Sequence, residues 1–392
     1  MFTSFHPPLR MLMGPGPSDV HPRILEALAR PTIGHMDPAF VGMMDELKTL
    51  LQASFKTTNE LTLPVSAPGS AGMETVFANL LERGDKAIVC VNGVFGGRMV
   101  ENVQRCGAVA ITLEQEWGKP VDPAEVEHVL KAHPDAKLLA FVHAETSTGV
   151  RSDAEALCAL ADRYDCLSVV DAVTALAGIE LRVDEWGVDA IYSGTQKCLS
   201  CVPGIAPVSF SDRAAKVIRE RSTPVQSWFL DLNLVMAYWG GAAKRAYHHT
   251  APVNSLYALH EALLILHEEG LENSWARHAR NHRALVAGIE ALDLDFVVEP
   301  EHRLPQLNLV SFGSNVDDAA VRSALLSDHG LEIGSGLGAF AGEVWRIGLM
   351  GFASSERHVQ ACVSALGSVL KAQGCSVDPQ RAMKAVQQSY AA

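Results

Sequence analysis

The sequence predicts an α/β fold, with a large domain built on a mostly parallel sheet and a smaller C-terminal α+β domain. Over the first two thirds of the chain, short apolar runs typical of strands alternate with amphipathic runs typical of helices. From about Asn254 to Leu292 the pattern becomes helical, and shorter strands and helices follow. A chain of 392 residues, of which 48% are hydrophobic, can bury a large core and fits two or three domains.

The predicted strands are apolar runs, often rich in β-branched residues, that end at polar or turn-forming positions. They cover residues 86–91, 109–113, 138–142, 167–171, 189–193 and 206–210. Amphipathic runs at residues 123–132 and 153–164 predict helices that cross between parallel strands.

The predicted domains follow the change in pattern. We expect an N-terminal extension over residues 1–15 and a large domain over residues 16–265. After a long connecting helix, we expect a small domain over residues 266–380 and a tail over residues 381–392. No internal repeat or low-complexity segment interrupts this organisation.

The charge and hydropathy of the chain argue against two classes of partner. The net charge is −13 at pH 7, which disfavours binding to nucleic acid or to an anionic membrane surface. No stretch approaches the roughly 20 consecutive apolar residues that span a bilayer. The first residues (MFTSFHPP) carry no basic region ahead of an apolar one, and the last residues (SYAA) carry no peroxisomal signal. We therefore expect a cytoplasmic protein.

The eight cysteines lie mostly in apolar surroundings, which is typical of small buried side chains in a reducing compartment. Cys198 and Cys201 have the spacing of a redox or zinc motif, but no second such pair and no suitably spaced histidine pair accompanies them. His248 and His249 are adjacent, and on a strand they would point to opposite faces. The sequence therefore predicts no metal site.

Asp171 and Lys197 each follow a predicted strand, at the position where an α/β enzyme presents its chemistry. Because ligands bind beyond the carboxyl ends of parallel strands, both side chains are expected in one crevice. Pyridoxal phosphate needs such a pair: a lysine that forms a Schiff base with its aldehyde, and a carboxylate that holds a proton on its pyridine nitrogen. A structural ion pair is the alternative.

A phosphate group is expected at residues 67–74 (APGSAGME), where small residues lead into a helix predicted over residues 73–81. Such a turn aims free backbone N–H groups and the positive end of the helix at an anion. Gly69 and Ser70 are the candidate residues. A capped helix that binds no ligand is the alternative.

Several motifs occur together and in order along the chain. They are LMGPGPS at residues 12–18, VVDAV at 169–173, YSGTQKCL at 192–199, YHHT at 247–250, GLENSW at 270–275 and WRIGLMG at 345–351. With these motifs the chain resembles the class V aminotransferases of the fold-type I pyridoxal-phosphate enzymes, and among them the alanine-glyoxylate and serine-pyruvate aminotransferase branch. The resemblance extends from about residue 10 to about residue 370. It implies the fold of a fold-type I PLP-dependent transferase and pyridoxal 5′-phosphate as the cofactor.

The resemblance gives single residues their roles at the cofactor. It implies that Lys197 binds the cofactor aldehyde and that Asp171 faces the pyridine nitrogen. Gly69 and Ser70 match phosphate ligands. Relatives usually carry Gly-Ser-Gly-Thr or Gly-Ser-Gly-His at this loop, whereas Pro68 here removes a backbone donor.

Further cofactor contacts follow from the same resemblance. Phe95, which is followed by two glycines just beyond a predicted strand, would stack on the pyridine ring, and a core aromatic is the alternative. Thr146 would bond a ring substituent, and Gln196 would lie next to the phosphate. Tyr247 and Thr250 match residues that reach the phosphate of the neighbouring subunit, which implies a homodimer with shared active sites.

Arg346 is the candidate clamp for the α-carboxylate of the substrate. Its guanidinium matches two carboxylate oxygens, and burying an arginine in an apolar strand is costly without an anion. Gly14, His35, Thr146 and Asn254 are the other substrate contacts that the resemblance implies.

These roles predict a ping-pong transfer of an amino group from a small amino acid, alanine or serine, to a 2-oxo acid, glyoxylate or pyruvate. An alternative donor is (S)-ureidoglycine: Asn254 resembles that branch of the family, whereas His35 stands where that branch tends to have glutamine.

A cysteine desulfurase or related lyase would place histidine, rather than Gln196, before Lys197 and would need a mobile cysteine, whereas Cys362 is expected to be helical and buried. A non-catalytic protein that binds the cofactor is the last alternative. The sequence does not rank alanine, serine and ureidoglycine.

Overall fold

The fold is that of a computed structural model, which describes residues 2–239, 245–314 and 316–391. The strands are β1 (Met11–Leu12), β2 (Leu61–Val65), β3 (Lys86–Val91), β4 (Val109–Glu114), β5 (Ala136–Val142), β6 (Ala144–Glu145), β7 (Val150–Arg151), β8 (Leu167–Asp171), β9 (Ala190–Tyr192), β10 (Ala206–Phe210), β11 (Asp295–Phe296), β12 (Leu307–Ser311), β13 (Leu331–Glu332), β14 (Gly334–Ser335) and β15 (Val344–Gly348). The helices are α1 (Pro22–Leu28), α2 (Pro38–Phe55), α3 (Gly69–Leu80), α4 (Val94–Arg105), α5 (Pro123–Ala132), α6 (Ala154–Arg163), α7 (Asp212–Arg219), α8 (Leu232–Trp239), α9 (Val253–Glu269), α10 (Leu271–Glu290), α11 (Asp318–His329), α12 (Glu356–Ala372) and α13 (Pro379–Ala391). Within these residues, no helix combines the length and the apolar character needed to cross a membrane.

A seven-stranded sheet forms the centre of the large domain, in the order β2-β10-β9-β8-β5-β3-β4. Strand β10 is antiparallel to its neighbours β2 and β9, and the other neighbouring strands are parallel. Parallel strands need crossover connections, and helices such as α4 and α6 supply them. The predicted α/β fold with a mostly parallel sheet is confirmed.

The edge strand β2 is the element of this sheet that the sequence pattern does not reveal. Its five residues are all buried, so they lack the alternation of a half-exposed strand. Pro64 also lacks the N–H group that a central strand would donate, which an edge position tolerates. The predicted strand β10 is also fully buried and contains Pro207, so these features do not distinguish β2 from the strands that the pattern reveals.

Helix α3 begins at Gly69, four residues before the start predicted at residue 73. Pro68 occupies the N-cap position, from which its fixed φ leads directly into the helix. The glycines of the first turn also allow the helix to approach the sheet closely, because a Cβ atom on Gly72 would lie 2.9 Å from the Cβ of Ala206. The start of α3 therefore lies directly against the central sheet.

Two hydrophobic cores divide the chain in space. The larger core surrounds the central sheet and includes Phe77 and Phe141. The smaller core packs around the four-stranded antiparallel sheet β11-β12-β15-β14 and includes Leu285, Trp345 and Val363. Helix α9 contributes to the larger core and most of α10 to the smaller one, so the change of domain falls between these two helices.

Both ends of the chain contribute to the smaller core, where the sequence suggests an extension and a tail. Strand β1 pairs in parallel with β13, and Met13 is fully buried in this core. Helix α13 covers most of residues 381–392 and buries Ala382 and Val386 in the same core. The apolar stripe of α13 is the physical reason that this segment is packed rather than loose.

The carboxyl ends of β3, β5, β8 and β9 meet along one edge of the central sheet. The segment after β1 crosses from the small domain to this edge. Gly348 donates its N–H to the carbonyl of Met13 at 2.7 Å, and Ser18 donates its N–H to the carbonyl of Gln196 at 3.0 Å. This crossing segment, residues 13–18, therefore lies beside the strand ends where the crevice is predicted.

Candidate active site

Asp171 ends β8 and lies opposite Tyr192 of β9 in the register of the sheet. It is 2% exposed, and its carboxylate accepts hydrogen bonds from the N–H of Val173 at 2.8 Å and from the hydroxyl of Tyr192 at 2.7 Å. Burial raises the pKa of Asp171 to about 7. The carboxyl group can therefore share a proton with a basic partner near neutral pH.

Lys197 lies in the turn after β9 and is 8% exposed. The hydroxyl of Ser18 fixes this turn by donating to the carbonyl of Lys197 at 2.7 Å, and the Lys197 Nζ donates to the carbonyl of Pro15. Burial, followed by the positive charge of Arg346, lowers the pKa of Lys197 to about 8. A substantial fraction of the amine is therefore neutral near physiological pH, as a nucleophile or a base requires.

Asp171 and Lys197 do not form the structural ion pair that the sequence allows as an alternative. Within the described residues, no carboxylate oxygen lies within 4.0 Å of the Lys197 Nζ. Both groups are nevertheless buried, and each is shifted towards its neutral form. Within the described residues, the two side chains therefore do not neutralise each other in a direct ion pair.

The predicted phosphate site lies at the N-terminus of α3. No side chain caps this helix, and the N-cap residue Pro68 offers none, so the capped helix considered as an alternative is absent. Gly69 is buried against the turn that carries Lys197, where a Cβ atom would lie 3.4 Å from the carbonyl oxygen of Ser193. Ser70 is exposed. Uncapped N–H groups and the helix dipole at this position suit an anion.

Gln196 contributes a polar atom that lacks a partner. Its Oε1 is buried and, within the described residues, accepts no hydrogen bond. A buried polar atom of this kind costs free energy unless a ligand or water satisfies it. The atom lies beside Gly194, on the turn between β9 and Lys197.

Phe95 and Thr146 follow the ends of β3 and β5. Phe95 lies in the first turn of α4, is partly buried, and has the guanidinium of Arg98 over its ring at 4.8 Å from the centroid. Thr146 is buried, and its Oγ1 lies 2.6 Å from the Oγ1 of Thr174. The structure thus places an aromatic ring and a hydroxyl pair at the edge where Asp171 and Lys197 lie.

Arg346 lies in the middle of β15 and is 7% exposed. Its Nε donates to the carbonyl of Ser335 at 2.8 Å, and one terminal nitrogen donates to the carbonyl of Thr146 at 3.4 Å. Within the described residues, no carboxylate oxygen lies within 4.0 Å of its guanidinium. Burial lowers the pKa of Arg346 to about 10. A buried guanidinium without a carboxylate partner is costly, and an external anion would offset that cost.

Tyr247, Thr250 and His35 lie together on the surface, apart from Lys197. Tyr247 is 67% exposed, its hydroxyl lies 3.4 Å from the Oγ1 of Thr250, and its ring centroid is 5.4 Å from that of His35. The Nδ1 of His35 lies 2.9 Å from the hydroxyl of Tyr238. Within the described residues, none of their hydrogen bonds reaches Lys197.

Asn254 and Gly14, the other expected substrate contacts, differ in their surroundings. The Asn254 amide donates to the carbonyls of Leu28 and Arg30 at 3.0 and 2.7 Å, and its oxygen accepts from Thr32 at 2.6 Å. Its hydrogen bonds therefore hold the chain after α1. Gly14 instead packs on the strands that present Arg346, since a Cβ atom on Gly348 would lie 2.1 Å from the Gly14 carbonyl oxygen.

His248 and His249 face each other, so the expectation that they point to opposite faces is wrong. They do not lie on a strand, and their Nδ1 atoms are 2.8 Å apart. The Nε2 of His249 lies 2.7 Å from the hydroxyl of Ser66, and the ring of His248 stacks on Trp228. In the described parts of the chain, no group of three or more His, Cys, Asp and Glu side chains is arranged to hold a metal ion.

The cysteines near the site are free and buried. Burial raises the pKa of Cys198 and of Cys201 to about 12, so both remain thiols at neutral pH. Cys362 lies in α12, is buried, and also has its pKa raised to about 12. The prediction that Cys362 is helical and buried is confirmed.

The structure adds three residues to the site that sequence reasoning missed: Tyr192, Thr174 and Glu145. Tyr192 bonds Asp171, Thr174 bonds Thr146, and Glu145 is fully buried next to Thr146. The signal for Tyr192 is the register of β8 against β9, which the sequence does not show. The sequence shows Glu145 directly before Thr146, but only the fold shows that its carboxylate is buried.

Comparison with known proteins agrees with this geometry. The family model "Aminotransferase class-V" matches residues 26–358. Alanine–glyoxylate aminotransferase of Rattus norvegicus is 39% identical over 93% of this chain and 88% of its own length. (S)-ureidoglycine–glyoxylate transaminase of Bacillus subtilis (strain 168) is 36% identical over 98% of this chain and 96% of its own length.

Solved structures show the same likeness in three dimensions. The ureidoglycine-glyoxylate aminotransferase from Bacillus subtilis superimposes with a TM-score of 0.97 and 36% identity, over 100% of both chains. The alanine–glyoxylate aminotransferase from Nostoc sp. gives a TM-score of 0.92 and 44% identity, over 94% of this chain and 97% of the other. The chain therefore belongs to the class V aminotransferase family, whose members in general depend on pyridoxal phosphate, and it is a transaminase with the fold-type I architecture.

Proposed function

We propose that Lys197, Asp171 and the N-terminus of α3 hold pyridoxal phosphate in this protein. Asp171, with a pKa of about 7, suits a pyridine nitrogen that has to stay protonated. The uncapped start of α3 and the unpartnered Oε1 of Gln196 suit a phosphate and its hydrogen-bonding groups. When bound, the cofactor supplies an electron sink that stabilises negative charge at the substrate Cα.

Lys197 and Asp171 have separate tasks around the Cα–H bond of the amino donor. The neutral amine of Lys197 takes the proton from Cα, and burial makes that neutral form available near physiological pH. Asp171 holds a proton at the ring nitrogen, and the hydroxyl of Tyr192 fixes the orientation of its carboxylate. The carbonyl of Pro15 keeps the amine of Lys197 directed into the crevice.

The observation that carries the proposed substrate class is the buried guanidinium of Arg346, which has no carboxylate partner within the described residues. An α-carboxylate would pair with it bidentately and offset the cost of its burial. Amino acids and 2-oxo acids both carry this group. One arginine therefore serves both half-reactions of a ping-pong transfer.

We infer that the donor is a small amino acid, alanine or serine, and that the acceptor is glyoxylate or pyruvate. The names of the Rattus norvegicus and Nostoc sp. relatives support alanine and glyoxylate. Both proteins match this chain over more than nine tenths of its length. The acceptor glyoxylate is shared by the names of all the relatives compared above.

A second candidate donor is (S)-ureidoglycine. The Bacillus subtilis transaminase named for this donor matches nearly the whole of both chains. Asn254 agrees with that branch, whereas His35 does not have the amide side chain expected there. Because His35 and Asn254 belong to neighbouring surface segments, both would act on a substrate in the partner's site.

A panel of amino donors with glyoxylate as the acceptor tests the proposed function. Alanine, serine and ureidoglycine are offered separately, and the product glycine is measured. We expect transfer from at least one of them, with ping-pong kinetics, and the ranking identifies the donor. Absence of glycine from every donor, with cofactor bound to the protein, would refute the proposal.

We propose that the protein is a homodimer with shared active sites. Tyr247 and Trp228 are exposed aromatic side chains on one chain, which is typical of a surface covered by a partner. Tyr247 and Thr250 match residues that reach the neighbouring subunit's phosphate in similar enzymes.

We propose a cytoplasmic location, as the sequence suggests. All eight cysteines are free, and six of them are buried. Free thiols in such number are typical of a reducing compartment. Fractionation of cells that produce the protein would test this location.

A further inference from the structure

Glu145, the last residue of β6, is a buried carboxylate that the proposed reaction does not use. It is 0% exposed, and within the described residues no lysine, arginine or histidine nitrogen lies within 4.0 Å of it. Its Oε1 accepts from the N–H of Ser147 at 3.0 Å and from the hydroxyl of Ser147 at 2.6 Å. Its Oε2 accepts from the N–H of Phe95 at 3.2 Å. A buried carboxylate that is held only by N–H and O–H donors needs a structural or chemical reason.

The first turn of α4 is capped from another part of the chain. The residue before this helix is Gly93, which has no side chain to bond its free N–H groups. Ser147 accepts the N–H of Val94 at 2.9 Å, and Glu145 accepts the N–H of Phe95. A carboxylate in this place also interacts favourably with the positive end of the helix dipole.

Gly93 leaves the space through which Glu145 reaches the helix. A Cβ atom on Gly93 would lie 2.5 Å from the Cγ and Cδ of Glu145 and 2.5 Å from the Oγ of Ser147. Real Cβ atoms do not approach other atoms this closely. The carboxylate of Glu145 can therefore reach the helix only because position 93 has no side chain.

The cap acts on Phe95, which the family resemblance places against the pyridine ring of the cofactor. Phe95 is the second residue of α4, and its backbone N–H is the group that Glu145 holds. The guanidinium of Arg98 lies over the Phe95 ring, and the ring also packs against the larger core, so the ring is held in one orientation. Fixing the backbone of Phe95 therefore fixes the plane on which the pyridine ring would stack.

The charge of Glu145 also acts on the ionisable groups of the site. It raises the pKa of Asp171, of Lys197 and of Arg346, although burial is the larger influence on each. Burial also raises the pKa of Glu145 itself, so the carboxylate exerts this effect in its ionised form. Removing it should lower the pKa of all three.

We propose that Glu145 is a positioning residue of the transamination site, which caps α4 in order to hold the Phe95 ring against the cofactor and supplies a buried negative charge to Asp171 and Lys197. This inference rests on the proposed function, because it assigns the ring of Phe95 to the bound cofactor. Glu145 touches neither substrate nor cofactor in this account. It acts through Phe95 and through its electric field.

Glu145→Gln tests the proposal, because it keeps the shape of the side chain but removes the charge. It also replaces one carboxylate oxygen, which accepts hydrogen bonds, with an NH2 group that would face an N–H or O–H donor. The dissociation constant of pyridoxal phosphate from the apoprotein should rise roughly tenfold to a hundredfold, the effect of losing one hydrogen bond to a charged group. The pH profile of kcat/KM should move to lower pH. Glu114→Gln, at the exposed end of β4, is the matched control and should change neither quantity by more than twofold.

Ser147→Ala provides a second variant in case Glu145→Gln folds poorly, because it removes only the hydroxyl that bonds Glu145 and Val94. It should weaken cofactor binding with little change in the pH profile. Far-UV circular dichroism of both apoproteins checks that they are folded. If folded Glu145→Gln binds the cofactor as tightly as the wild type and has the same pH profile, the role of Glu145 is refuted. If instead the wild type binds no cofactor, the proposed function fails, whatever Glu145 does.

Discussion

Burial changes the pKa of three ionisable residues at the site. The pKa of Asp171 rises to about 7, that of Lys197 falls to about 8, and that of Arg346 falls to about 10. Each shift favours the neutral form, because a buried charge has lost its hydration. Near neutral pH, these values leave Arg346 and most of Lys197 charged and Asp171 near its midpoint. Small changes in the surroundings of Asp171 and Lys197 therefore change their protonation, which suits a site that handles protons.

Asp171→Asn should raise the free energy of unfolding of the apoprotein above that of the wild type. This gain should be larger at high pH than at low pH. The carboxyl group has a pKa of 3.8 when unperturbed and about 7 in the fold, so the stability of the protonated state is fully present below pH 3.8 and is lost as the pH rises towards 7. Asparagine stays neutral and avoids this loss. Urea unfolding of both apoproteins should show a gain on the order of 1–3 kcal/mol at pH 8 over that at pH 5. An equal difference at the two pH values would mean that Asp171 is not titrating in this range.

Arg346→Lys should lower kcat/KM about tenfold to a hundredfold, because lysine loses one of two parallel hydrogen bonds worth roughly 1.5–3 kcal/mol each. The loss should be similar for every donor and for glyoxylate, since all carry the same carboxylate. Arg105→Lys, at an exposed arginine of α4, is the control and should have no effect. Strong discrimination between alanine and serine by Arg346→Lys would contradict the assignment.

At the scale of elements, the crossing segment joins the small domain to the turn that carries Lys197. Asp19 accepts from the N–H of Leu12 at 2.9 Å and lies 2.9 Å from the Nε2 of His358, which fixes the segment to α12. Gly16 has a φ of +108°, and a Cβ atom there would lie 2.7 Å from the Lys197 Nζ. Position 16 therefore requires glycine for both its backbone conformation and its close approach to the lysine.

Gly16→Ala should destabilise the protein by roughly 1–3 kcal/mol, from the strained φ and the clash with Lys197. It should also weaken cofactor binding, because the lysine has to move. Gly42→Ala in α2 is the matched control: nothing lies within 4 Å of its Cβ position, and alanine should stabilise the helix by about 1 kcal/mol or less. Urea unfolding measures both effects. Equal stability of the two variants would contradict the close packing on Lys197.

Periodicity reveals the elements whose residues alternate or stay apolar between turns. Strands β3, β8 and β10 lie where the sequence predicts them, and Asp171 and Lys197 could be found because each follows such a strand. Strand β2 is not predicted, although it shares full burial and a proline with β10. The contact of Tyr192 with Asp171 depends on the register of two strands, and that of Glu145 with α4 depends on loop packing. Such contacts join distant parts of the chain, which local patterns do not report.

At the scale of the whole molecule, one chain contains the lysine, the aspartate and the arginine but leaves part of the expected site elsewhere. Tyr247 and Thr250 bond each other at the surface, and His35 lies beside them. In a homodimer with two-fold symmetry, these residues of one subunit would complete the site of the other. The sequence motifs identify these residues. The geometry of the completed site depends on how two subunits associate, which a local motif does not encode.

Mixed dimers test this arrangement. Lys197→Ala chains and Tyr247→Ala chains should each be poorly active alone. If sites are shared, random mixing after subunit exchange gives hybrids with one intact site, and about a quarter of the wild-type activity per chain should return. Mixing Lys197→Ala with Asp171→Ala chains is the control, because one chain supplies both residues to the same site. Neither site of such a hybrid is intact, so no activity should return. No gain of activity in the Lys197→Ala and Tyr247→Ala mixture, with hybrids shown by native mass spectrometry, would contradict shared sites.

The central claim is that Lys197 is the residue that binds pyridoxal phosphate covalently. The most direct measurement is borohydride reduction of the purified yellow protein, followed by digestion and mass spectrometry of the modified peptide. We expect one phosphopyridoxyl adduct, located on Lys197, which follows β9 in a buried turn. A stoichiometric adduct on any other lysine would contradict it.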